Sequence, residues 1–444
     1  MSTRGEFSSR LGFVLAAAGS AVGLGNIWGF PSQVAQNGGA AFVLVYLVLA
    51  FFLAYPVLMA ELIIGRATRA NVVDALGMIT QSKAGRYVGL WGALTASLIL
   101  SFYAIVAGWM LAYFVESTLT LVTDKSSLTW FVDFSFSRNW FFCLLFLIFT
   151  AAIVTGGVRQ GIEKWSVRLM PTLVILIVAL IIYVSLQDGA IDGWRAYLIP
   201  DFSKVTDPEL LISAMGQAFF SMSLGVGTML VYGSYISKTE NLPTLGASVA
   251  LVDIGVAVLA GMLIIPAMYV AQANGVAIFT ESGALIEGDA LIFNVLPSLF
   301  ASIGTIGIVI ATVFFALMSI AAVTSSISML EVPVSYLVED KAVSRTKAVW
   351  IMTLVILGIS TFIIANFGDL FGLVITVTTQ YSQPLLGLIM CVFVGWVWRR
   401  NAILSELKEG FVGAEQSLFW KIWPVYVKFV CPIIIGVMFI RTVL

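Results

Sequence analysis

Histidine is absent from the 444-residue chain, which excludes histidine metal clusters and histidine proton relays. Charge is scarce as well: Asp, Glu, Lys and Arg make up 11% of the residues and balance to a net −1. No basic tract of the kind nucleic acid requires is present, so no nucleic-acid partner is expected. The three cysteines, Cys143, Cys391 and Cys431, each fall inside an apolar stretch. They read as packing residues and supply no disulfide framework. No low-complexity tract or soluble domain interrupts the sequence. The first apolar segment runs past signal-peptide length without a small-residue cleavage site, so it is expected to be retained as a span.

What is abundant is apolar surface, since 60% of the residues are hydrophobic. That composition is far outside the soluble range and predicts a polytopic membrane protein. Apolar stretches lie at about 11–36, 40–65, 87–115, 139–157, 168–187, 210–237, 245–272, 304–338, 346–366, 370–398 and 421–442, eleven in all. With residue 1 inside, the inner connections collect most of the Lys and Arg, including Arg4, Arg66, Arg86, Arg159, Arg345 and Arg400. This bias predicts a cytoplasmic N-terminus and, with an odd number of spans, an outer C-terminus. Of the longer outer segments, Gln187–Glu209 reads as a solvated loop because it carries five acids. Asn274–Ser302 reads as a helical hairpin, with pieces at Ile278–Leu285 and Ala290–Leu299, that folds back as a lid.

Two spans carry features that simple membrane helices lack. The first, LGFVLAAAGSAVGLGNIWGFP, has Gly19, Gly23 and Gly25 at its middle beside Asn26; the sixth has Gly216, Gly225 and Gly227 among Ser221 and Ser223. Every backbone N–H and C=O released by a helix break in lipid must find another partner. Glycine also serves close helix packing, and either span alone would allow that reading. Two interrupted spans five helices apart point instead to an inverted repeat. Its halves are spans 1–5 (residues 11–187) and 6–10 (210–398), with discontinuous helices 1 and 6 meeting near the midplane and an additional span at 421–442. The whole chain, 1–444, is then one all-α transmembrane domain.

Polar groups inside these spans are candidates for function by default. Glu61 is expected to accept N–H groups of the unwound first helix, and Asp253 to offer an anionic oxygen to a cation. Glu331 reads as a residue nearer the inner mouth. The run Thr324-Ser325-Ser326, one turn after Ala321, supplies hydroxyls of the kind a hard cation prefers. Such hydroxyls also bond their own helix carbonyls.

Taken together, GSAVGLGNIWGFP, NGGAAF at 37–42, ELIIGR at 61–66, YAIVAGW at 103–109, GQAFFSMSLGVG at 216–227 and TSSISMLE at 324–331 resemble the neurotransmitter:sodium symporters, the bacterial amino-acid branch in particular. The resemblance spans nearly the whole chain in order. It implies a sodium-coupled carrier, not an enzyme, that imports a neutral amino acid by alternating access across the inner membrane, as a monomer or weak dimer. A β-amino acid, taurine or betaine is the alternative cargo, and a non-transporting sensor or scaffold the alternative of another class. Two Na⁺ sites are implied and no organic cofactor. One is Gly19, Val22, Ala321, Thr324 and Ser325. The other is Ala21, Asn26, Ser221 and Asp253, completed by the substrate carboxylate.

The resemblance further implies that the substrate meets Ala21, Gly23, Gly25, Tyr103, Phe220, Ser221, Ser223, Gly225 and Ser325, between walls of Ile99, Val226, Ser326 and Met329. Glu61, Gln217, Arg4, Glu339 and Asp340 are expected to support or gate this site. Three departures stand out. Gly29 occupies the place of the family's vestibule arginine, and residues 371–378, where its acidic partner belongs, are uncharged. Phe7 replaces an inner tryptophan. Tyr46, Gln217 and Ser221 match chloride ligands of the chloride-dependent relatives, but Ala257 lacks the fourth hydroxyl. Asp253 already carries a negative charge there, so transport is expected to be independent of chloride, with proton export on the return of the empty carrier as a further expectation.

Overall fold

In the computed structural model, residues 5–123, 135–279, 285, 295–302 and 304–443 are described. Among them the chain is helical, apart from an isolated antiparallel bridge between Phe279 and Leu285. Among the described residues nine helices are long and apolar enough to cross a membrane, and the bent pair Arg10–Ala21 and Gly25–Gln36, taken as one span, makes a tenth. The sixth apolar stretch is broken more deeply, into Pro208–Ser221 and Thr228–Gly233. The eleven expected stretches are therefore all present as helical structure, but two are interrupted.

Local chemistry accounts for both breaks. The first helix starts at a Ser9 N-cap whose hydroxyl accepts the Gly12 N–H at 2.9 Å. It ends at Ala21, where Val22 turns to an extended conformation with ψ 100°. The chain then re-enters a helix at a 54° angle. The sixth stretch starts at an Asp207 cap followed by Pro208, and it leaves the helix over 222–227, where Gly225 and Gly227 take φ of +86° and +84°. These left-handed conformations cost an L side chain what they do not cost glycine.

The two longest helices, Lys83–Thr123 and Thr305–Glu339, pack against one another and flank the breaks. The second half of the sixth stretch is wedged against Tyr55–Thr68. A Cβ on Gly65 would stand 1.9 Å from the Leu230 carbonyl. Such backbone contact is the usual role of small residues between membrane helices.

Two expectations for the connections change. The segment read as a solvated loop at 187–209 contains a helix, Ala190–Leu198. Ala190, Gly193 and Tyr197 are its buried face, and the Tyr197 hydroxyl donates to the Val258 carbonyl at 2.9 Å. Its acids lie on the exposed face, so the charge pattern alone masked an amphipathic helix. Most of the expected lid lies outside the described residues. Of its first piece, Phe279 and Leu285 pair as extended chain, and of its second, Leu296–Ser302 is helical.

Candidate functional site

At the first break, oxygens from two elements converge. Thr324 Oγ1 lies 2.9 Å from the Ala321 carbonyl and 3.4 Å from that of Val22. Ser325 Oγ lies 3.1 Å from the Val22 carbonyl and 3.3 Å from that of Gly19. Oxygens bound to a small hard cation at about 2.4 Å stand roughly 3.4 Å apart along an octahedral edge, so the spacing of this set fits such an ion. The five residues expected for one ion site are thus brought together.

The second expected set also assembles. Asn26 Nδ2 donates to Asp253 Oδ1 at 2.8 Å, and Ser221 Oγ donates to both Asp253 carboxylate oxygens at 2.8 and 3.0 Å. Asp253 is fully buried. Asn26 Oδ1 meanwhile accepts the Gly23 N–H at 3.2 Å, and Ala21 lines the adjoining cavity. Tyr46 is buried close by, with no hydrogen-bond partner for its hydroxyl among the described residues. The set holds a carboxylate, an amide and a hydroxyl within mutual reach, a donor set suited to a hard cation.

Between the two sets lies a cavity of about 20 Å³ bounded by Ala21, Gly23, Gly25, Ile99, Tyr103, Phe220, Ser223, Val226, Ser325 and Met329, all expected residues. Glycine at 23 is required here, because a Cβ would sit 2.4 Å from Ser325 Oγ and 2.9 Å from the Tyr103 hydroxyl. That hydroxyl accepts the Leu24 N–H at 3.3 Å. Ser223 Oγ donates to the Ser20 carbonyl at 3.2 Å. Released backbone groups of the first break therefore find partners on the third and sixth spans.

Four expectations are corrected. Ser326 faces away from the cavity and shares a hydrogen bond with Thr150 at 2.8 Å. Ser221 does not line it either, being turned to Asp253. Gly225 is a scaffold position: its N–H donates to Glu61 at 2.6 Å and its α-carbon backs onto Gln383. Glu61 consequently serves the sixth break, with a second bond from Leu230 N–H at 3.3 Å, and not the first break. The residues that sequence reasoning missed are Leu24, Ala96 and Gln383. Gln383 had a visible signal, since it closes the polar run Thr378–Gln383 of the tenth span, which also holds the amide of Gln380.

Beyond Phe220 and Tyr103 a vestibule of about 610 Å³ opens toward the end of the bundle that carries residues 29–33 and 212–217. Among the described residues, no charged side chain lines it. Gly29 faces Gln217, whose Nε2 donates to the Gly25 carbonyl at 2.7 Å and so ties the sixth span to the first. Where an acidic partner was sought, Phe371 stacks on Phe367 with ring centroids 4.5 Å apart.

The opposite end is closed. Phe7 packs edge-on against Phe13, Tyr232 and Tyr235. Glu163 accepts from Ser8 N–H and Oγ at 2.8 and 2.7 Å, and Glu6 pairs with Arg69. Glu331, fully buried, is held by Arg345 at 2.6 Å and by the Tyr235 hydroxyl at 2.7 Å. Arg4 lies outside the described residues. Of the two acids expected to gate with it, Glu339 accepts the Asn71 N–H at 2.8 Å, and Asp340 pairs with Arg86 at 2.7 Å and Lys341 at 2.8 Å.

Broken helices that turn carbonyls and hydroxyls onto a buried cavity, open to one end of a membrane bundle and clamped at the other, define a secondary transporter. The chain belongs to the sodium:neurotransmitter symporter family, whose model matches residues 4–139 and 132–444. It is 36% identical to MhsT, whose crystal structure in complex with L-phenylalanine superposes with a TM-score of 0.86 over 99% of this chain and 100% of that one. It is also 34% identical to a sodium-dependent transporter of Haemophilus influenzae, covering 98% of each chain. With the sodium-dependent transporter YhdH of Bacillus subtilis it shares 32% identity over 99% of this chain and 97% of the relative. The protein is a multi-pass, sodium-dependent secondary transporter with the inverted-repeat fold, not an enzyme.

Proposed function

We propose that the protein imports a neutral amino acid together with sodium by alternating access, with its N-terminus in the cytoplasm. The observation that carries this reading is the convergence of Gly19, Val22, Ala321, Thr324 and Ser325 on one side of a buried cavity, with Asn26, Ser221 and Asp253 on the other. Two cation sites then flank the substrate. The substrate carboxylate joins Ala21, Asn26, Ser221 and Asp253 around the second ion and meets the Tyr103 hydroxyl and the N–H groups near Gly25. The ammonium group meets carbonyls around Phe220, with Ser223 and Ser325. An ion and a carboxylate in direct contact lower each other's desolvation cost, so their binding is reciprocal and coupled.

The absence of charge around the cavity and vestibule supports a neutral side chain, as does the L-phenylalanine bound by MhsT. The two repeats at 11–187 and 210–398, with the added span at 421–442, supply the moving halves. Purified protein in liposomes, given an inward sodium gradient and a panel of amino acids, taurine and betaine, tests the reading. Sodium-driven accumulation of a neutral α-amino acid is the expected result. Accumulation of taurine or betaine alone would reassign the cargo, and no sodium-driven uptake of any solute would overturn transport.

A further inference from the structure

Gln383, on the tenth span, lines the central cavity and is 2% exposed. Its amide has a fixed sense. Nε2 donates to the Phe219 carbonyl at 3.4 Å, at the sixth-span break, and reversing the amide would set two oxygens against each other. The end that remains is Oε1, an acceptor, and among the described residues it has no donor. A buried acceptor left unpaired is costly, by an amount comparable to a hydrogen bond. The backbone of Gln383 is pinned as well: a Cβ on Gly225 would stand 2.3 Å from the Gln383 carbonyl, so the two chains touch through glycine. Gln383 therefore has a fixed backbone against Gly225, and it shares the cavity wall with Val226, the next residue.

We propose that Gln383 reads the substrate side chain, its Oε1 accepting a hydrogen bond from a hydroxyl, amide or indole N–H. The assignment rests on the amino-acid reading above and narrows it to neutral amino acids whose side chain carries a donor. Apart from the hydroxyls of Tyr103, Ser223 and Ser325, which the reading above gives to the carboxylate and ammonium groups, the remaining side chains of the wall are apolar, with Ala96, Ile99, Val226 and Met329, so a side chain with a single donor on an apolar body matches it. A site built to hydrogen-bond its substrate discriminates strongly against an isostere that lacks the group, because binding the isostere leaves the acceptor buried and unpaired.

The test uses the full-length protein in liposomes and competition between near-isosteric pairs, threonine against valine and tyrosine against phenylalanine. In the wild type, the hydroxyl member of at least one pair should compete at about tenfold lower concentration or better. Q383L should bring that ratio near one by weakening the hydroxyl member more than the apolar member. Q383M, read the same way, guards against a folding defect in the first variant. The assignment is overturned if the wild type shows no preference within either pair, or if both variants weaken the two members of a pair equally. Loss of the underlying reading looks different: no amino acid, with or without a donor, would then support sodium-driven uptake in the wild type.

Discussion

At the scale of single residues, the ion-binding groups are the most exposed to test. Replacing Thr324 and Ser325 together by alanine removes two side-chain oxygens but keeps the three carbonyls. The sodium concentration for half-maximal ligand binding should rise at least tenfold while the protein stays monodisperse, as read by a sodium titration of ligand binding. An unchanged titration would remove both hydroxyls from the ion site. Asp253 is held by Asn26 and Ser221, and in D253N the charge is lost but the shape is kept. Sodium affinity should fall, or chloride should become necessary, whereas wild-type uptake should persist when chloride is replaced by gluconate. Uptake that vanishes in gluconate and returns with chloride would show that the Asp253 charge does not do the anion's work. These groups were legible through the resemblance, because each short motif that supplies them is chemically unusual for lipid, although each set joins residues more than 200 positions apart. Ser326 was misread because it stands some 100° around the helix from Ser325, the cavity-lining residue, and so turns its hydroxyl to Thr150. Glu61 was misread for a different reason. A carboxylate fixed on one span satisfies whichever break its neighbour brings near, and sequence does not say which.

At the scale of elements, the sixth break depends on Gly225 and on the Glu61 carboxylate that holds its N–H. G225A places a Cβ 2.3 Å from the Gln383 carbonyl in a backbone conformation with φ +86°, so it should abolish transport and lower the thermal midpoint by several degrees. E61Q exchanges one of two acceptor oxygens for a donor facing N–H groups, and should lower the midpoint less. Scanning fluorimetry of the two variants would check the order. The closed end depends on Asp340, where hydrogen bonds from Lys341 and Arg86 hold the carboxyl down at about 2. A carboxyl depressed below its ordinary value contributes stability above that ordinary value and loses it as pH falls toward the depressed one. This closure should therefore be insensitive to pH between about 8 and 5 and weaken only between about 4 and 2. In D340N it should be weaker than in the parent at every pH above about 4, with the difference vanishing as pH approaches about 2. Labelling of a cysteine placed at Ala17, fully buried here, would report it, and equal labelling in D340N and its parent would dismiss the clamp. Most spans were readable from hydropathy to within a few residues, but the fifth begins at Val158 where 168 was expected and the third runs to Thr123 where 115 was expected. The helix at Ala190–Leu198 was not, because its apolar face rests on an alanine, a glycine and a tyrosine among charged residues.

At the scale of the whole molecule, the two ends are built on different principles. One is fastened by buried ion pairs, including Arg66 with Glu406 at 2.7 Å and Arg345 with Glu331, and the other is an open, uncharged vestibule. Removing a partner from a buried pair leaves an uncompensated charge, so R345A should shift the carrier toward opening at the fastened end. G29R, by contrast, adds a cation with no acid to receive it and should slow uptake without restoring a gate; faster uptake in G29R would contradict this. The overall arrangement was legible because the glycine breaks recur five spans apart, whereas the state of the two ends was not, since it depends on contacts between residues hundreds of positions apart. The neutral vestibule has a kinetic consequence. With no charged side chain lining it among the described residues, the vestibule wall adds little local field to steer a zwitterion or to be screened by electrolyte. Encounter with substrate is then governed by diffusion alone. At constant sodium, raising ionic strength with an inert salt should leave the association rate flat, so any salt effect on uptake reports occupancy of the ion sites and nothing else.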